Sequence, residues 1–117
     1  MFTYDCEITR VVDGDTCDVT IDLGFKIMHK ARVRLHGINA PESRTRDKEE
    51  KYRGLQSKAR FKELIREKDI RLVSHDKGKY GRVLGEILIK NHNDKWNSVN
   101  KILVKEGHAT EYYGGKR

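Results

Sequence analysis

Three carboxylates and two arginines, spread over four short segments, carry the chemistry open to this sequence. Asp13 and Asp15 flank Gly14 in Val12-Asp13-Gly14-Asp15-Thr16, and Glu42 closes the run Gly37-Ile38-Asn39-Ala40-Pro41-Glu42. Such carboxylates suit a hard cation: calcium takes roughly six to eight oxygens, so two side chains, a backbone carbonyl and solvent suffice. Arg34, in Arg32-Val33-Arg34-Leu35, and Arg82, in Lys79-Tyr80-Gly81-Arg82, bring planar guanidinium forks that grip a phosphate bidentately. Hydrolysis at a phosphodiester needs this combination: neutralised phosphoryl oxygens, a positioned water and a stabilised transition state. Each residue alone has a plainer use. Asp13 and Asp15 suit a turn, Arg34 a solvated strand face, Glu42 a turn start after proline, and Arg82 the first position of a strand.

The elements that must position these residues follow from hydrophobic periodicity. Residues 4–12 read as extended, and Asp13-Gly14 supplies a hairpin turn. Residues 16–23 alternate, with Cys17, Val19, Ile21 and Leu23 inward. The alternation restarts with Phe25, Ile27, Ala31, Val33 and Leu35, giving a three-strand meander. Residues 37–43 form a loop stiffened by Pro41. A helix over 47–68 carries Leu55, Ala59, Phe61, Leu64 and Ile65 as its apolar stripe, with Gly54 as a weak point. Strands follow over 70–74 and 82–89, joined by a polar stretch over 76–81, and residues 91–93 form a turn. A second helix has Ser98 as N-cap and Gly107 as stop. Meander, helix, then two strands is the order of an OB-fold. The expected fold is therefore α+β, a five-stranded OB-like β-barrel with two or three helices, in one domain over residues 1–117.

A formal charge of +7 points to a polyanionic partner, and the excess is concentrated. Residues 44–68 hold ten Lys/Arg against five Asp/Glu, which also fits a solvated helix laced with ion pairs. Cys6 and Cys17 are too few for a zinc site and the histidines show no ligand spacing, so any metal should be held by oxygen. No apolar run is long enough to cross a membrane. The first residues lack the features of a secretory leader, so the expected location is cytoplasmic, or secreted if the chain begins after a removed leader. To this point the reading is a basic barrel that binds nucleic acid, without an enzyme established.

The four segments together resemble the staphylococcal nuclease (thermonuclease) family: a DGDT turn, an Arg-Leu strand running into a Gly-Ile-x-x-Pro-Glu loop, and a later Lys-Tyr-Gly-Arg, in order over residues 5–113. The resemblance implies a calcium-dependent nuclease that hydrolyses DNA and RNA with little sequence preference and leaves 3′-phosphates. By the same resemblance Asp15, the Asn39 side chain and the Ala40 carbonyl hold Ca2+, with Asp13 in an outer shell orienting bound water. Glu42 is the general base, or orients the attacking water. Arg34 and Arg82 grip the phosphate, and Arg82 is too weak an acid to be the necessary proton donor. Lys79, Tyr80, Leu84, Tyr112 and Tyr113 contact the nucleotide, with aromatic faces stacking bases. The expected partners are DNA and RNA, single strands preferred, with no membrane and a monomeric protein.

Among the departures from the family pattern, two bear directly on the site. Asn39 stands where the family's ligand is aspartate; its amide oxygen binds calcium but brings no charge. The loop over 76–81 is short, which alters contacts to a terminal phosphate. The alternative is a non-catalytic OB module that binds single strands. Glu42 argues against it, because a pure binder has no use for a carboxylate among phosphate-gripping cations.

Overall fold

The computed structural model describes residues 2–77 and 82–113. β1 (Phe2–Asp13) turns back through Gly14-Asp15 into β2 (Thr16–Asp22), and β3 (Met28–Leu35) completes an antiparallel meander. Along β2, Cys17, Val19 and Ile21 are buried, while Asp18 and Thr20 are half-buried and Asp22 is exposed, as a strand of period two requires. The chain continues through β4 (Ile38–Asn39), α1 (Lys48–Ile65), β5 (Ile70–Lys77), β6 (Val83–Lys90), β7 (Trp96–Ser98), α2 (Val99–Lys105) and β8 (Thr110–Glu111).

β1 pairs with β5 and β5 with β6, and a parallel pairing of β6 with β3 closes five strands into a barrel. With two helices this is the expected α+β, OB-like fold. The short strands are additions to it: β7 lies on β6, and β4 pairs with β8. Elements of two or three residues show no period, so the sequence does not announce them.

The core gathers Val19, Val33, Leu35, Leu72 and Ile87 from the barrel, Phe61 from α1, and Val99 and Leu103 from α2, all fully buried. Burying each such side chain contributes about 1.5–3 kcal/mol. Asn100 fastens α2 to the barrel: its Nδ2 donates to the carbonyls of His36 (2.9 Å) and Gly85 (3.2 Å), and its Oδ1 accepts from the Ile87 N–H (3.2 Å).

Three expectations are corrected. Leu23, Phe25 and Ile27 do not face the core; they are 45%, 97% and 54% exposed. The chain reverses there, with Leu23 N–H bonded to the Ile27 carbonyl and Ile27 N–H to that of Gly24, and β3 starts only at Met28. Leu55 and Ala59 likewise lie outside the buried face of α1, which consists of Gly54, Ser57, Phe61 and Leu64. Small residues occupy that face because the helix comes very close to the barrel. A Cβ on Gly54 would sit 2.3 Å from the Glu42 carbonyl oxygen, and one on Gly14 would sit 2.6 Å from Ser57 Cβ. Gly54 is thus where the helix meets the Glu42 loop, not a weak point.

Asp47 caps α1 by accepting the N–H groups of Glu49 and Glu50, and Ser98 caps α2 through the Lys101 N–H. Cys6 and Cys17 are both free thiols. Burial, with Asp5 adding to it, pushes the Cys6 thiol up to about 11, and burial pushes Cys17 further still, so both are packing groups.

Candidate active site

At one end of the barrel, where β1 turns into β2 and β3 runs into β4, four of the expected residues meet: Asp15, Arg34, Asn39 and Ala40. Asp15 occupies the two-residue turn and is 7% exposed. Its carbonyl accepts the Leu35 N–H at 2.8 Å, which ties the turn to the end of β3. Its carboxylate accepts the Thr16 hydroxyl at Oδ1 (2.9 Å) and the Ala40 N–H at Oδ2 (2.8 Å), drawing the loop after β4 against the turn.

Arg34, facing outward near the end of β3, lies between these groups. Its Nη1 donates to the Leu35 carbonyl at 3.1 Å, and its Nη2 donates to Asn39 Oδ1 at 3.1 Å while lying 3.5 Å from Asp15 Oδ2. The Arg34 and Asp15 side chains are 13% and 10% exposed, so neither charge is bathed in solvent. A pair this secluded depends on both members, since removing one leaves the other charge poorly compensated.

A carboxylate oxygen and an amide oxygen therefore converge on one cationic atom. Oxygen donors are what a hard cation takes, and the Asp15 carboxylate and the Asn39 amide oxygen are donors of that type, brought to one place by Arg34. The set carries a single negative charge. Among the described residues, no three His, Cys, Asp or Glu side chains come together as a metal cage.

Asp13 uses its Oδ1 to accept both the N–H and the hydroxyl of Ser43. It thereby clasps the residue immediately after Glu42. The Glu42 N–H donates to Glu50 Oε2 at 3.1 Å and its main chain rests on Gly54, so the loop is pinned from three sides while the Glu42 side chain stays exposed. Glu42 borders a cavity with Asn39, Ala40, Glu50 and Arg53.

Arg82 is half-buried and immediately precedes Val83, the parallel partner of Val33. Leu84 is the backbone partner of Arg34 itself. The Tyr112 N–H donates to the Gly37 carbonyl at 2.8 Å. Tyr113 is 74% exposed, and its ring covers Gly37, whose φ is +80° and where a Cβ would come within 2.9 Å of the ring. Lys79 and Tyr80 lie outside the described residues.

Sequence reasoning missed a pair of histidines. The rings of His36 and His75 stack with centroids 4.3 Å apart and planes 12° apart, and Tyr113 meets His36 edge-on at 5.9 Å. His75 falls at a register shift between Ser74 and Asp76, and the His36 N–H donates to Gly85, the partner of Ser74. The three rings border a cavity of about 420 Å³, within the roughly 300–1,000 Å³ range of small-ligand pockets. The signal is non-local: it requires the bulge in β5 and the closure of β3 on β6.

A family model described as "Staphylococcal nuclease homologue" matches residues 32–117. The chain is 30% identical over 115 residues to a micrococcal nuclease of Shigella flexneri, covering 94% of this chain and 60% of that protein. It is 29% identical over 110 residues to Protein ParB of Escherichia coli, covering 91% and 56%. It is 31% identical over 107 residues to an uncharacterized endonuclease of Haemophilus influenzae, covering 92% and 52%. The chain thus spans a little over half the length of these curated relatives. The family match takes in Arg34, Asn39, Ala40, Glu42 and Arg82, the fold binds Asp15 to that group, and the chain belongs to the staphylococcal nuclease family.

Proposed function

We propose that the protein is a calcium-dependent nuclease that hydrolyses phosphodiester bonds of DNA and RNA with little sequence preference, leaving 3′-phosphates. The observation that carries this reading is the convergence of Asp15 and Asn39 oxygens on Arg34 Nη2 at the barrel rim, beside the loop that holds Glu42. Asp15, Asn39 and the Ala40 carbonyl would hold the calcium ion, which when bound supplies neutralisation of charge on the phosphoryl oxygens.

The remaining steps belong to the chain's own groups. Glu42, exposed on a pinned loop, takes the proton of a water directed at phosphorus. Asp13 holds that loop through Ser43, and so sets where the Glu42 carboxylate stands. Arg34 and Arg82 grip the phosphoryl oxygens and stabilise the charge that grows on them in the transition state. The bond from phosphorus to the 5′-oxygen breaks, and solvent protonates the leaving oxygen, because a guanidinium is a poor acid. Tyr113, exposed beside the histidine stack, offers a face to a base, and the same reading assigns Tyr112, Leu84, Lys79 and Tyr80 to the nucleotide. Single strands reach such a site more readily than a stacked duplex.

Product ends test this reading. Mass spectrometry of digested oligonucleotides should show 3′-phosphate and 5′-hydroxyl termini from both DNA and RNA; 5′-phosphates would contradict the direction of attack. A second reading, a module that binds single strands without cutting, draws support from the single negative charge of the donor set. It predicts a gel shift with denatured DNA and no products.

A further inference from the structure

We infer that the groove between β1 and α1 is a second phosphate-binding track, one that holds the nucleic-acid strand beyond the linkage being cut; this rests on the nuclease reading above. Arg10 from β1 and Lys58 and Lys62 from α1 share a groove of about 380 Å³ with Thr9, Ile8 and Ile65, and neither Asp nor Glu lines it. A register shift in β1 between Ile8 and Arg10 breaks the strand's alternation, so Thr9 and Arg10 are both exposed in succession. Lys58 and Lys62 stand one helical turn apart, about 6 Å along α1.

Several cations elsewhere are matched with acids. Arg60, on the flank of α1 toward α2, is held by Glu106 through bonds of 2.7 and 2.9 Å, and Glu63 lies 3.7 Å away. Arg32 is clasped by Asp18, Arg71 by Asp5, and Lys90 lies beside Asp94. Hydrogen bonds from Arg32 and Arg60 hold the carboxyls of Asp18 and Glu106 below their usual range. Arg10, Lys58 and Lys62 make no such ion pair among the described residues. Arg10 has Asp18 as its cross-strand neighbour on β2 and helps to hold that carboxyl down, but no acid borders the groove itself; the three like charges around it repel one another, and a polyanion laid over them relieves that repulsion and releases its own counterions.

The groove lies close to the site along the chain. Arg10 precedes Asp13 by three residues, about 10 Å of strand. Lys58 follows Ser57, the residue on which Gly14 rests. On this proposal a strand with one linkage at Arg34 reaches the groove within a few nucleotides.

The test compares a thymidine 20-mer with a trimer as substrates, in the wild type, in Arg10→Gln/Lys58→Gln/Lys62→Gln, and in a control with equal charge loss, Lys26→Gln/Lys68→Gln/Lys95→Gln. Thermal melts confirm that both variants fold. The ratio of kcat/KM on the 20-mer to that on the trimer should fall at least about tenfold in the groove variant and hold in the control. The slope of log Kd for the 20-mer against log salt should flatten by about 2, the value for three cations on a single strand. An unchanged ratio and slope, or an equal loss in the control, would overturn the track. A wild type that cuts neither substrate would overturn the nuclease reading instead, and the salt slope of binding would still decide the track.

Discussion

The amide oxygen of Asn39 accepts a hydrogen bond from Arg34 Nη2 at 3.1 Å, and that same nitrogen lies 3.5 Å from Asp15 Oδ2. A neutral side chain thus takes part in a cluster otherwise built of one carboxylate and one guanidinium. Replacing it by a carboxylate changes the charge of the donor set without changing its shape. A unit charge about 4 Å from a cation is worth up to about 4 kcal/mol per elementary charge at an effective dielectric constant near 20, before desolvation.

Asn39→Asp should therefore tighten calcium binding by at least about tenfold, read by titration calorimetry or by the rise of melting temperature with calcium. Unchanged affinity would mean that Asn39 serves only to hold Arg34.

Gly54→Ala tests the contact that positions the Glu42 loop. An added methyl gains about 1 kcal/mol in helix propensity. Here it would meet the Glu42 carbonyl oxygen at 2.3 Å and carbonyl carbon at 2.5 Å, and backbone cannot swing aside as a side chain can. The clash costs about 1–3 kcal/mol, so the melting temperature should drop. Cleavage should fall too, even well below that temperature, because Glu42 is displaced. A rise in melting temperature would contradict the close approach.

Phe25 lies 97% exposed with φ of 55°, in the left-handed region, followed by Lys26 at 62°. A left-handed conformation costs an L-residue about 1–2 kcal/mol, and asparagine tolerates it best among residues with a side chain. Phe25→Asn should raise stability in urea denaturation by about 0.5–1 kcal/mol, since no packing is lost. A loss of stability would show that the ring packs against the protein.

Much of the fold was legible because it is written in local periodicity and caps. Cys17, Val19 and Ile21 alternate with polar residues and face inward, and Ser98 caps α2 where the sequence expects. The tip between β2 and β3 was not, because Phe25 and Ile27 keep the period of a strand while the backbone turns around Gly24. The inner face of α1 was misread because close approach selects Gly54 and Ser57, which hydrophobicity overlooks. In the site, the short segments carrying Asp15, Arg34, Asn39 and Ala40 brought together the residues that the structure joins by hydrogen bonds. What stayed hidden depends on distant partners: Asp13 reaching Ser43, His36 stacking on His75, and Asn100 bridging to His36 and Gly85.

The most direct test of the central claim is the rate of cleavage of denatured DNA with calcium and with EDTA, in the wild type, Glu42→Gln and Arg82→Ala. Glu42 is the cleaner probe than Arg34, because its side chain is exposed and its loss leaves no secluded charge behind. The account predicts cutting with calcium, none with EDTA, and a fall of at least about 10²-fold in Glu42→Gln, with a comparable loss in Arg82→Ala. A wild type that binds denatured DNA yet yields no products with calcium, magnesium or manganese would contradict it, as would a Glu42→Gln variant that cuts at the wild-type rate.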